Sequence, residues 1–331
     1  MTHPSNQPWI QPWIEPKAIP ADPAALAVGT MNFGKRTPEA ESVRIIERSL
    51  ERGLAFFDTA NAYNDGESER ILGRALRGRR ERALIATKVG FGRVAGKPEG
   101  LSRETVLRAA GESLSRLQTE YIDLYYLHVP DYSTPLEETI DALEELFQAG
   151  KIRRFGVSNY ASWQVLQIMM SCDRRVIPRP AVSQVLYNLL IRQLDVEYFK
   201  FTREFRLHTS VYNALAGGLL SGRHERSAPI PKGSRFDGNK LYRERYWSDR
   251  FFDLVDEYKT LAGEEGMSLV EFSYAWLAGR AGVDSILIGP ASVEQLDAAI
   301  DACSKSVSPE ARAKIDAIHK AFLGTDASYA R

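Results

Sequence analysis

Asp58, Tyr63, Lys88 and His128 are the residue types a proton-transfer site requires, and they fall at or near the ends of successive apolar runs. Hydride reduction of a carbonyl leaves an alkoxide that must be protonated, and a phenol with a pKa near ~10 holds its proton at neutral pH. Tyr63 is the candidate acid. The reverse reaction needs a tyrosinate, which at pH 7 costs about 4 kcal/mol over a gap of roughly 3 pK units, so a cation must lie beside the phenol. Lys88 is the candidate cation, and Asp58 the carboxylate that keeps a buried ammonium charged. His128, neutral, can donate a hydrogen bond to the carbonyl oxygen and orient it. This chemistry calls for no metal.

Taken singly, each residue has a plainer explanation. Lys88 suits a salt-bridged rim, Asp58 a turn and His128 a packed core position. Their convergence on one face of a fold is what turns four ordinary residues into a site, and that convergence depends on the elements between them.

From residue 25 onward, short apolar runs alternate with longer segments of helical period, the pattern of βα units and a parallel sheet. The strand candidates span residues 25–30, 54–58, 83–88, 122–128, 152–158, 181–187, 207–213 and 284–289. Eight units suggest an α/β fold of the (β/α)8 TIM-barrel type, with catalytic groups at the carboxyl ends of the strands. Asp58, Lys88, His128, Ser158, Asn159 and Tyr212 all fall at or near such ends, and Gln184 lies within the sixth run. Helices are expected over 37–52, 102–117 and 134–149, the first with Thr37 as its cap and Pro38 in its first turn. A long segment after the seventh strand, residues 214–249, is rich in Gly, Pro, Arg and aromatics and is expected to fold over the active face. A helix over 310–322 and a polar C-terminal tail, also expected over that face, complete a domain of residues 25–331.

Residues 1–24 form a separate extension. It carries a tandem Gln-Pro-Trp-Ile repeat at 7–10 and 11–14, which reads as a docked strap, a subunit contact or an irregular arm without chemistry.

A chain of 331 residues can hold two ordinary domains or one large barrel. Lys plus Arg and Asp plus Glu number 43 each, so there is no global field to attract nucleic acid or an anionic membrane, and small molecules or copies of itself are the expected partners. Cys172 and Cys303 stand far apart without metal-ligand spacing, which fits a reducing compartment. With no apolar run near the ~20 residues that span a bilayer and no basic leader, the expectation is a cytoplasmic protein.

A dinucleotide enzyme of the two-domain kind carries G-x-G-x-x-G after its first strand. The nearest match here, residues 90–96, has the wrong final spacing, so any nicotinamide must be held by barrel loops.

The fragments GTMNFG, FFDTANAY, IATK, DLYYLH, GKIRRFGVSNY and YNALAGGLLSGR occur in order along the chain. Together they resemble the landmarks of the aldo-keto reductases, over nearly the whole length from residue 25. LHVPDYSTPLEET, SNYASW and GSRFDGNKLYRERYW, with the tail ending YAR, are most similar to the branch of aflatoxin aldehyde and succinic semialdehyde reductases. The resemblance implies a (β/α)8 barrel, NADPH as hydride donor and Asp58, Tyr63, Lys88 and His128 as catalytic residues acting on a small carbonyl substrate.

It further implies that Asp58, Ser158, Asn159 and Gln184 hold the nicotinamide end and that Tyr212 stacks on the ring. Asn213, Ala214, Leu215, Gly217, Gly218 and Arg223 belong to the implied pyrophosphate loop, and Arg235, Gly289, Ser292 and Gln295 to the adenosine end. Tyr242, Arg245 and Arg331 match substrate-contacting positions beside Tyr63 and His128, and two guanidiniums would suit an acidic group. That branch often forms dimers, so a homodimer is expected. The chain departs from the family at Ala298 and Ala299, where relatives carry a Glu-Asn pair against the adenine, which leaves NADPH against NADH open.

Two other functions use the same parts. One is a regulatory or redox-sensing subunit that binds NADPH and turns over slowly; the other is a Schiff-base lyase with Lys88 as nucleophile.

Overall fold

The computed structural model describes residues 25–94, 96–325 and 328–330, so the tandem repeat and Arg331 lie outside the described residues. All eight apolar runs are strands: β1 (Ala25–Gly29), β2 (Phe56–Asp58), β3 (Leu84–Val89), β4 (Ile122–Leu127), β5 (Ile152–Ser158), β6 (Val182–Leu186), β7 (His208–Tyr212) and β8 (Ser285–Ile288). They pair in parallel and close into a barrel, β8 meeting β1 in the register Ala25 with Ser285. The helices between them are α1 (Glu39–Glu51), α2 (Glu67–Ala75), α3 (Arg103–Leu117), α4 (Leu136–Gln148), α5 (Ser162–Arg175), α6 (Tyr198–Glu204), α7 (Lys240–Tyr246), α8 (Asp249–Glu264), α9 (Leu269–Ala278), α10 (Val293–Cys303) and α11 (Pro309–Leu323).

Strand alternation explains how one element serves two cores. On β2, Phe56 clusters with strand residues, Leu84, Ala86, Leu124 and Tyr126 among them, whereas its neighbour Phe57 packs with residues of the surrounding helices. Asp58 shares the inward phase of Phe56, and Lys88 that of Leu84 and Ala86. Tyr126 fits inside because Gly156 opposes it: a Cβ at 156 would stand 2.7 Å from the Tyr126 ring and 2.7 Å from the Val182 carbonyl.

Several helix starts follow capping chemistry, and the expected cap at Thr37 is corrected. Ser102 caps α3 by accepting the Thr105 N–H, as Ser268 does for α9 and Ser308 for α11. Thr37 does not cap α1. Pro38 occupies the cap position at φ −56° and ψ 156°, without a side-chain cap, and the Thr37 hydroxyl donates instead to the Ala291 carbonyl at 3.3 Å, tying the loop after β1 to the loop after β8. Near the segment at 90–96, Arg93–Val94 pair antiparallel with Lys97–Pro98.

The segment after β7 is partly ordered by its own turns, a 3-10 stretch (Ala216–Ser221) and α7. As expected, it reaches the mouth at the carboxyl ends of the strands. In the tail, Tyr329 is exposed. No helix among the described residues is long and apolar enough to cross a membrane.

Candidate active site

Asp58 ends β2 and Lys88 lies near the end of β3, both pointing inward and fully buried. The Lys88 ammonium donates to Asp58 Oδ1, to the Thr59 carbonyl at 2.8 Å and to Tyr63 Oη at 3.5 Å. The second carboxylate oxygen, Oδ2, accepts from Gln184 Nε2 at 2.8 Å, across the barrel from β6. Tyr63 is held in a turn after β2, its amide donating to the Ala60 carbonyl at 3.1 Å. His128 directly follows β4 with its amide on Val89 O at 2.8 Å, and its ring stands edge-on to Tyr63, centroids 5.9 Å apart. All four candidate catalytic residues therefore meet at one corner of the barrel mouth.

Burial governs the charge states there. Desolvation raises the Tyr63 phenol well above 10, with the nearby Asp58 carboxylate acting in the same direction, so it is a protonated acid at neutral pH. Burial lowers the Lys88 ammonium from its ordinary value, opposed by Asp58 and by the buried Glu69 carboxylate. His128 is lowered well below 6.5 by burial and by Lys88, and is neutral at pH 7. Its Nδ1 is buried without a hydrogen-bond partner among the described residues. An uncapped lone pair is less costly there than a buried unpaired N–H, so the tautomer with the proton on Nε2 is favoured. The arrangement can polarise a carbonyl oxygen and protonate it.

The corner opens into one elongated cavity of about 1340 Å³, larger than the roughly 300–1,000 Å³ that drug-sized ligands occupy. Asp58, Tyr63 and His128 line one part of it; Gly289, Gln295, Ala298 and Ala299 line another; residues of the long segment after β7 lie along it. Asn213 donates nothing from its buried Nδ2, while its Oδ1 accepts the Gly217 amide at 3.1 Å. The backbone at Gly217 and Gly218 takes φ of 70° and 108°, open to glycine and strained for other residues. A cavity of this volume, a glycine turn and an unsatisfied amide donor fit a nicotinamide dinucleotide.

The remaining expected site residues are distributed as follows. Ser158 ends β5 and Asn159 follows it, both lining the cavity; Asn159 Nδ2 donates to the His128 carbonyl at 2.9 Å, and its Oδ1 accepts from Tyr212 Oη at 2.6 Å. Ala214, Leu215 and Arg223 line the cavity. Arg235 does too, donating from Nη2 to Asn32 Oδ1 at 2.9 Å. Tyr242 and Arg245 stand together on α7, the Arg245 guanidinium 6.0 Å from the Tyr242 ring centre. Ser292 is turned to capping α10, accepting the Gln295 amide, and is not part of the cavity lining. Gln295 lines the cavity with its Oε1 engaged by the Ala291 amide at 3.0 Å.

Sequence reading did not name many of the lining residues, Phe91, Asn32, Arg36 and His224 among them. Phe91 is 55% exposed and tilts over His128 at 5.0 Å between centroids. It is held there by the Glu99 carboxylate, which accepts the Gly90 and Gly92 amides at 2.9 and 3.3 Å and Asn61 Nδ2 at 2.7 Å on its other oxygen. Asn32 and Arg36 reach in from the loop after β1, Arg36 donating to the Ser234 carbonyl. His224 enters from the long segment. All four lie on βα loops at the carboxyl face, so the barrel rule that these loops carry function was the available signal.

Residues 25–320 match the model of the aldo/keto reductase family. The chain is 36% identical over 322 residues to the human protein named aflatoxin B1 aldehyde reductase member 2, covering 92% of this chain and 88% of that one. It is 36% identical to human aldo-keto reductase family 7 member A3 over 90% of this chain and 93% of that protein. It is also 30% identical to an Arabidopsis thaliana protein named probable voltage-gated potassium channel subunit beta, over 80% of this chain and 83% of that one.

Proposed function

The chain belongs to the aldo/keto reductase family, and from that premise we propose that this NAD(P)H-dependent oxidoreductase reduces an aldehyde or ketone with NADPH, Tyr63 delivering the proton. One observation carries the reading: a lysine ammonium lies on a buried carboxylate, Asp58, and 3.5 Å from the Tyr63 hydroxyl.

When bound, the reduced nicotinamide supplies the hydride. Gly217, Gly218 and Arg223 would hold the diphosphate of the dinucleotide and Arg235 its adenosine end, with Ser158, Asn159 and Tyr212 along the nicotinamide end. His128 Nε2–H orients the substrate oxygen and stabilises the charge that develops on it. Tyr63 donates its proton to that oxygen, and Lys88 stabilises the tyrosinate left behind. Asp58 keeps the ammonium charged, and Gln184 holds the carboxylate in place. Phe91 and Tyr242 flank the space for the carbonyl compound, and Arg245 offers a guanidinium to an acidic group on it. The buried free thiols of Cys172 and Cys303 agree with a cytoplasmic setting.

The test is steady-state reduction of a panel of aldehydes beside a fluorescence titration with NADPH. Multiple turnovers in wild type, lost in Tyr63→Phe while NADPH still binds, support the reading. Tight binding with a single turnover points to a regulatory subunit, and full activity in Tyr63→Phe rejects the assigned acid.

A further inference from the structure

His224 belongs to no part of the catalytic corner, yet it lines the same cavity. Its ring is gripped edge-on by two aromatic residues, Phe236 at 5.1 Å and 89° and Trp247 at 5.5 Å and 72° between centroids and planes. That slot fixes the imidazole plane. Its Nε2 faces the glycine turn: a Cβ added to Gly218 would stand 3.6 Å from it. Its Nδ1 is buried without a hydrogen-bond partner among the described residues.

These facts assign a tautomer. A buried N–H without an acceptor is rarer and costlier than a buried lone pair, so the proton sits on Nε2 and points along the Gly217–Gly218 turn. Protonating both nitrogens would put an unpaired N–H into the aromatic slot. Burial and the adjacent Arg223 hold the imidazole below its ordinary 6.5, in the neutral state.

We propose that His224 is a coenzyme-binding residue whose Nε2–H donates a hydrogen bond to the diphosphate bridge of the dinucleotide where it crosses Gly217 and Gly218. This rests on the coenzyme site described above. The glycines let the backbone approach the diphosphate, Arg223 supplies charge, and His224 supplies a directional donor whose orientation is fixed before the ligand arrives. A hydrogen bond to a charged acceptor in such a site is worth about a tenfold change in affinity.

The experiment compares NADPH titrations of wild type, His224→Phe and His224→Gln, followed by quenching of protein fluorescence. Phenylalanine keeps an aromatic ring between Phe236 and Trp247 and removes the donor; glutamine restores an N–H. The expected result is an NADPH dissociation constant about tenfold higher for His224→Phe and recovery to within about threefold of wild type for His224→Gln. Imidazole ¹⁵N shifts of the wild-type protein should show Nε2 protonated and should move on adding NADPH. Wild-type affinity in His224→Phe overturns the inference, as does equal weakening in both variants. Should His224→Phe not fold, the tautomer decides: a proton on Nδ1 overturns the inference, and Nε2–H with an NADPH-dependent shift supports it. Failure of wild type to bind NADPH overturns the functional reading as well.

Discussion

At the corner of β2, β3 and β6, polar contacts run mainly between strand residues: Lys88 to Asp58, Gln184 to the same carboxylate, with Thr59 O closing the set. Where residues 231–236 cross toward the loop after β1, the contacts are loop to loop, Arg235 on Asn32 and Arg36 on the Ser234 carbonyl, and they are partly open to solvent. The corner is fixed by closure of the barrel. The crossing is fixed by a few side chains on segments without strand pairing. Under the proposed function, chemistry that needs sub-ångström placement would sit on the first, and ligand holding, which must also permit release, on the second.

Substitutions should separate the two regions. The largest expected effect is at Tyr63: Phe there should lower kcat for carbonyl reduction by about 10²–10⁴-fold, the range for removing a general acid, with NADPH affinity nearly unchanged. A parallel fall in affinity would mean that the corner also holds coenzyme. Next, Asp58→Asn leaves the Lys88 ammonium buried without its carboxylate, and urea unfolding should report a loss of about 3–5 kcal/mol along with activity. An unaltered midpoint would show that the ion pair is not a structural element of the barrel.

Arg235→Ala should act on the other region alone. It should raise the NADPH dissociation constant about tenfold, leave kcat at saturation unchanged and change unfolding free energy by no more than about 0.5 kcal/mol. A lower kcat would tie the crossing segment to the chemistry.

Two pH effects are smaller. Because the Tyr63 acid is raised well above 10 and His128 lies well below 6.5, both keep their active protonation states through neutrality. The kcat for reduction should therefore be flat from about pH 7 to 9, and an acidic or basic limb in that window would assign a different proton donor. Asp131 marks the loop beyond His128. Burial raises its carboxyl, but hydrogen bonds from Ser133, Thr134 and the Leu101 amide outweigh this and lower it from 3.8 to about 2. A depressed folded-state value stabilises the fold above the unfolded pKa and is lost as pH falls through about 2. The melting-temperature gap between wild type and Asp131→Asn should be largest above pH 4 and close as pH approaches 2.

The strands were legible because a fully buried β-strand needs a continuous apolar run, and the second, third, fourth, fifth and seventh runs carried a candidate site residue at or near the carboxyl end. Asp58, Lys88 and His128 could be placed on the same face from strand phase and the parallel βα order. Helix starts were legible where a serine caps, as at Ser102, and misread at Thr37, because the extended backbone of Pro38 moves the start and frees the threonine for a distant carbonyl.

By itself, the order of residues determined the fold class and named the four candidate residues of the corner, since the first follows from local periodicity and the second from chemistry carried on single side chains. Closure of the barrel decided the rest. Gln184 reaches Asp58 across 126 positions of chain, Arg235 reaches Asn32 across 203, and Phe91 comes to rest on His128 only because Glu99 gathers the loop that bears it. Such contacts depend on strand register and loop path, which are set by the packing of the whole barrel and leave no periodic signal in any one segment.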